Sequence, residues 1–139
     1  MKIVICSGGF DPIHSGHIAY FRAAKRLGDT LVVGINSDEW LTRKKGKPFM
    51  NFRERLEIVQ SIKYVDYVMS FNDDDDSAIL LIDNVKKAWP GDEIIFANGG
   101  DRIESNNREK DVKDVMFMYG VGGSHKMNSS SEILKQWNN

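Results

Sequence analysis

Ile3-Val4-Ile5-Cys6-Ser7-Gly8-Gly9-Phe10-Asp11-Pro12-Ile13-His14-Ser15-Gly16-His17 is the stretch whose reading decides the fold. It opens on a short, mostly β-branched run that is apolar without alternation. A strand covered on both faces reads this way, because neither side of its pleat meets water. Gly8 and Gly9 break the run. A helix is then expected from about Ser15 to Leu27, with Ile18, Phe21, Ala24 and Leu27 on one apolar stripe. Gly28-Asp29 closes it. Strand, glycine-rich turn and helix in that order make the first half of a parallel β-α-β unit.

The pattern repeats along the chain. Thr30 to Ile35 reads as a second buried strand, and Asn36-Ser37-Asp38 as a turn able to cap a short helix. Arg43 to Pro48 reads as a basic loop. Asn51 caps a helix from about Phe52 to Lys63 with Leu56, Val59 and Ile62 on one face. Tyr67 to Ser70 is a third strand, Asp73 to Asp76 a solvated acidic turn, Ala78 to Trp89 a helix and Glu93 to Ala97 a fourth strand. A charged helix near Arg108 to Lys113 is expected before a fifth strand, Met116 to Val121. Ser129-Ser130-Ser131 caps a last helix, roughly Glu132 to Trp137. Strands separated by helices predict an α/β, Rossmann-like three-layer fold: a central parallel sheet of about five strands with helices on both faces. In such sheets ligands sit beyond the carboxyl ends of the strands. Gly8–His17, Asn36–Lys47 and Asn98–Arg102 each follow a strand, so they are expected to converge.

Composition bounds the rest. The 139 residues suit one domain, 1–139, with one core. The formal net charge of -1 carries no basic footprint of a nucleic-acid binder, and bulk charge does not point to a membrane surface. Cys6 is the single cysteine, which excludes an intrachain disulfide and a thiolate cluster. With no apolar run long enough for a leader or a membrane span, a cytoplasmic protein is expected.

His14 and His17 lie three apart at a helix start and project to similar sides of the first turn. Free backbone N–H groups and the helix dipole favour anions there, and two imidazoles can add donors to phosphate oxygens. Gly8 and Gly9 let the backbone approach a phosphate. Gly16 removes a side chain where a ligand passes. Neither a Walker loop nor a dinucleotide fingerprint is present. Two histidines also suit zinc, but zinc needs more donors and the third histidine, His125, is far along the chain. Trp40, Trp89 and Trp137 are expected to pack rather than to stack on a base.

Gly8-Gly9-Phe10-Asp11 followed by His14-Ser15-Gly16-His17 resembles the signature of the cytidylyltransferase-like nucleotidylyltransferases, a Gly-x-Phe-Asp run and then His-x-Gly-His. Gly28-Asp29, residues 33–38 and Tyr64-Val65-Asp66 are similar to successive stretches of glycerol-3-phosphate cytidylyltransferases and of the adenylyltransferase domain of ADP-heptose synthases. Phe96-Ala97-Asn98-Gly99-Gly100-Asp101 stands closer to the heptose enzymes.

The resemblance implies attack by an acceptor phosphate on the α-phosphorus of CTP or ATP, with loss of pyrophosphate. It makes His14 and His17 catalytic donors, with Lys44 and Ser130 beside them. It assigns nucleotide contacts to Gly8, Gly9, Phe10, Asp11, Gly16, Arg55, Asn98, Gly99, Asp101, Ser129 and Ser131. The family's arginine before the serine stretch is missing, and either Lys126 or His125 replaces it. Mg2+ is expected mainly on the triphosphate oxygens, with Asp11 as a possible ligand. A CTP-using enzyme with a glycerol-phosphate-like acceptor is the first expectation. The alternatives are an ATP-using heptose-1-phosphate type and a non-catalytic nucleotide-binding module. By analogy with small enzymes of this type a homodimer is expected.

Overall fold

The computed structural model describes residues 1–100, 102–123 and 130–138. Its elements are β1 (Lys2–Gly8), α1 (Ser15–Lys25), β2 (Thr30–Ile35), α2 (Asp38–Lys45), α3 (Phe52–Gln60), β3 (Tyr67–Ser70), α4 (Ile79–Ala88), β4 (Glu93–Gly99), a 3-10 turn (Glu104–Asn106), β5 (Met116–Val121) and α5 (Ser130–Asn138). The five strands form one sheet in the order β3-β2-β1-β4-β5. Every pairing is parallel. The expected Rossmann-like α/β architecture is therefore present.

The unbroken apolar run of β1 now has its reason. Val4 and Cys6 point into one layer with Phe21 and Ala24 of α1 and Val59 of α3. Ile3 and Ile5 point into the other, with Leu81, Ile82 and Val85 of α4. All of these are fully buried, and each Val, Leu, Ile or Phe side chain among them contributes about 1.5–3 kcal/mol of burial. The α4 layer lies so close to β2 that a Cβ on Gly34 would sit 2.3 Å from Leu81 Cδ2. Only glycine allows that approach.

Chain order runs outward from β1 in two directions, to β2 and β3 and then back to β4 and β5. The reversal leaves a crevice beyond the carboxyl ends of β1 and β4. No helix of the described residues is long and apolar enough to cross a membrane.

Three local expectations are corrected. Arg43, Lys44 and Lys45 belong to the last turn of α2 and not to a loop; cations there complement the helix dipole, and Gly46 at φ 93° ends the helix. Residues 108–113 form turns instead of a helix. The Asn107 side chain accepts from the Glu109 N–H at 3.0 Å and donates to Tyr119 Oη at 3.0 Å, a local bond that competes with helix formation. The acidic turn is not simply solvated. Asp73 is 2% exposed and accepts from the Ser37 N–H at 2.8 Å, the Ser37 hydroxyl at 2.7 Å and the Asn36 amide at 3.0 Å. Burial pushes its carboxyl up, but these donors and the nearby Arg43 outweigh it and hold it below the usual carboxylate range.

Candidate active site

The site grows from the junction of β1 and α1. His14 sits at the N-cap of α1 with extended backbone, φ -149° and ψ 178°. Its Nδ1 accepts the Gly16 N–H at 3.1 Å. Its own N–H donates to Nδ1 of His17 at 3.1 Å. The two imidazoles thus form a reciprocal capping box, a role usually taken by Ser or Thr with Glu. The rings lie 3.9 Å apart between centroids. The Phe10 ring meets His17 edge-on at 5.1 Å, and Phe10 itself is buried with φ 52°. A ring nitrogen that accepts a backbone N–H carries no hydrogen, so both imidazoles hold theirs on Nε2. The first turn of α1 has no acidic residue.

Both histidines line a cavity of about 380 Å³ beyond the carboxyl ends of β1, β4 and β5. Gly8, Gly9, Phe10, Asp11, Gly16, Lys44, Asn98, Gly99 and Gly100 line it too, so the expected convergence occurs. The Lys44 ammonium lies 4.7 Å from the centre of the Trp40 ring. Trp40 also lines the cavity, so it faces the site and does not merely pack. Trp89 behaves as expected, packing on the core, and Trp137 is 80% exposed. Asn98 is 6% exposed, and its Nδ2 has no hydrogen-bond partner among the described residues.

Tyr20, one helical turn beyond His17, lines the same cavity and donates its hydroxyl to the Ala97 carbonyl. Its spacing of three from His17 is the signal that sequence reading passed over. Gly122, at φ 86°, brings the chain after β5 against α1: a Cβ there would lie 2.8 Å from the Tyr20 Cα.

Two residues expected at the ligand are engaged by the protein itself. Arg55 is fully buried and does not line the cavity. Its guanidinium donates to the carbonyls of Gly9 at 2.9 Å, Asn36 at 2.7 Å and Met50 at 3.0 Å, and to the Asp38 carboxylate at 2.7 Å. It ties the loops after β1 and β2 to α3. Asp11 is 2% exposed, and both carboxylate oxygens are occupied, one by the Phe49 N–H and the Lys45 ammonium at 2.7 and 2.8 Å, the other by the Met50 N–H at 2.6 Å. It anchors the loop before α3 to the loop after β1. Among the described residues no three His, Cys, Asp or Glu gather to hold a metal ion.

The two glycines after β1 also face the protein's own side chains. A Cβ on Gly8 would lie 2.9 Å from the Phe10 ring, and one on Gly9 3.0 Å from Leu41 and 3.2 Å from Trp40. They admit the protein's own side chains at the crevice floor. Asp101, His125, Lys126 and Ser129 lie outside the described residues. Ser130 and Ser131 open α5, with their backbones alone described.

Cys6 does not line this cavity. It is fully buried, and burial pushes its thiol up to about 12 against a smaller opposing effect of Tyr20.

The chain matches the cytidylyltransferase-like family over residues 5–133. It is 34% identical to the bifunctional protein HldE of Geobacter metallireducens across 98% of its own length and 28% of that protein. With the HldE of Syntrophotalea carbinolica it shares 39% identity over 97% of its length and 27% of the relative. It thus spans little more than a quarter of these curated relatives. Among solved structures, a lipopolysaccharide core biosynthesis protein of Thermoplasma volcanium superposes with a TM-score of 0.68 at 27% identity, covering 86% of this chain and 95% of that one. A bifunctional NMN adenylyltransferase/ADP ribose pyrophosphatase of Francisella tularensis, complexed with AMP and a manganese ion, shares the fold: TM-score 0.70, 16% identity, 99% of this chain and 42% of that one. With its paired histidines at the head of α1 and this match along nearly its whole length, the chain belongs to the cytidylyltransferase-like family of nucleotidylyltransferases.

Proposed function

We propose that the chain transfers a nucleoside monophosphate from a nucleoside triphosphate to the phosphate of a small sugar or polyol. The observation that carries this reading is the locked histidine pair: two imidazoles whose Nδ1 atoms are held by backbone N–H groups, which leaves Nε2 as the donor, in a cavity at a helix N-terminus. An acceptor phosphate oxygen attacks the α-phosphorus, the bond to the β-phosphate oxygen breaks, and pyrophosphate leaves. The attacking oxygen is already anionic, so no strong base is needed. The demand is to hold negative charge on the α-phosphate and the leaving group. Donors fixed before the reaction meet it: His14 and His17 from α1, and Lys44 from α2.

Adenylyl transfer from ATP to a heptose-1-phosphate-type acceptor is the favoured form. The likeness to HldE proteins over nearly the whole chain supports it, as does the Asn98-Gly99-Gly100-Asp101 stretch. Cytidylyl transfer to a glycerol phosphate is the competing pairing. Mg2+ enters on the triphosphate oxygens. Pyrophosphate release with each of the four triphosphates, against sugar 1-phosphates and polyol phosphates, tests this. Turnover with ATP and a heptose 1-phosphate is expected. Triphosphate binding without turnover across the panel would make the chain a nucleotide-binding module instead.

A further inference from the structure

A second cavity of about 510 Å³ opens beside the first, beyond the carboxyl ends of β1, β2 and β3. Lys44, Arg102 and Glu109 line both, so they stand in the shared wall. The histidines line only the first. An acceptor in the second cavity would reach a triphosphate in the first across this wall, where Lys44 and Arg102 supply positive charge.

Glu109 is the acidic side chain common to both linings; burial pushes its carboxyl up, against the Arg102 and Arg108 charges and the Ala78 N–H. It is 7% exposed, and its Oε2 has no hydrogen-bond partner among the described residues. The turn around it is built: its N–H donates to Asn107 Oδ1, and its carbonyl accepts from the Val112 N–H at 3.0 Å. A buried oxygen left without a donor costs stability. A carboxylate accepts hydrogen bonds and repels phosphate, so its complement is a neutral donor carried by the ligand.

We propose that Glu109 is a specificity-determining residue that accepts a hydrogen bond from a hydroxyl of the acceptor, with the acceptor phosphate lying toward Lys44 and Arg102. This rests on the transferase reading above and deepens it: the preferred acceptor carries a hydroxyl within reach of its phosphate. An acceptor lacking that hydroxyl leaves the Glu109 oxygen unpaired in the closed complex and is disfavoured.

The test is steady-state transfer by the wild type, Glu109→Gln and Glu109→Asp with one triphosphate and two acceptor pairs. Glycerol 3-phosphate is compared with propyl phosphate, and a heptose 1-phosphate with its monodeoxy counterparts. Triphosphate KM and inhibition by inorganic phosphate are followed in parallel. The wild type is expected to prefer the hydroxylated member by about ten- to a hundredfold in kcat/KM, the scale of one hydrogen bond to a charged group. Glu109→Gln loses most of that preference through a higher KM for the hydroxylated acceptor, while triphosphate KM and phosphate inhibition stay unchanged. Glu109→Asp retains part of it. An undiminished preference in Glu109→Gln overturns the proposal, and so does an equal loss for both members of a pair, which marks a structural role. A wild type that ignores every sugar and polyol phosphate but modifies an acceptor without such hydroxyls overturns the acceptor reading and this proposal together.

Discussion

The backbone N–H of His14 donates to Nδ1 of His17 at 3.1 Å, so each imidazole is held by the first turn of the helix it opens. One bond does two things. It satisfies an orphan donor at the helix start, and it fixes which ring nitrogen carries the hydrogen. Helix cap and cavity lining therefore share the same side chains and can be separated by choice of substituent.

Replacing His17 by Ala removes a cavity donor and a cap. Transfer is expected to fall by about 10²–10³, with a loss of about 0.5–2 kcal/mol of stability from the cap. His14→Asn keeps an N-cap acceptor without the Nε2–H. It should hold its melting temperature while losing activity on the same scale. Parallel calorimetry and pyrophosphate assays check both.

Arg55→Met should be a stability mutant. It leaves the carbonyls of Gly9, Asn36 and Met50 without their donor, at a cost of about 3–5 kcal/mol in denaturant unfolding. Protein that remains folded should bind triphosphate with nearly the parental affinity. A large, selective rise in triphosphate KM with unchanged stability would restore Arg55 to the nucleotide.

Asp11→Asn puts an amide where the Lys45 ammonium and the Phe49 and Met50 N–H groups converge. The variant should lose about 2–4 kcal/mol, as for a buried charge stripped of its partner. The Mg2+ concentration that supports half-maximal activity should not move. A marked increase in that concentration would make Asp11 a metal ligand after all.

The Asp73 carboxyl is held below its ordinary value in the folded chain. Its contribution is therefore present above the unfolded pKa and is lost as the pH falls through the lower folded one. Wild-type stability should decline with acid below about pH 4 more steeply than that of Asp73→Asn. Urea midpoints across that range report the slope.

Cys6 should resist alkylation in the folded protein at pH 8, because burial pushes its thiol up to about 12. Labelling with iodoacetamide before and after denaturation gives the contrast.

The parallel sheet was legible because β1 and β2 are apolar on both faces. The helix caps at Ser37 and Asn51 were legible because Ser and Asn offer side-chain acceptors to the N–H groups of Trp40 and Glu54. The histidine pair was legible from spacing alone. Residues 108–113 were not: their charge pattern allows a helix, and the competing bonds of Asn107 reach Tyr119, twelve residues away. The burial of Asp73 was hidden for a similar reason, since its donors come from residues 36 and 37.

Local pattern alone determined the alternation of strands and helices, and it placed His14 and His17 at a helix start beyond the first strand, because periodicity and capping act within a few residues. Tertiary structure alone decided what the charged residues do. Arg55 carries the same charge in any context, yet packing turns it inward onto backbone groups of other loops, while Lys44 and Glu109 are left lining the cavities. The direction of a long charged side chain depends on which distant donors and acceptors the fold brings within about 3 Å of it, and sequence spacing does not encode that distance.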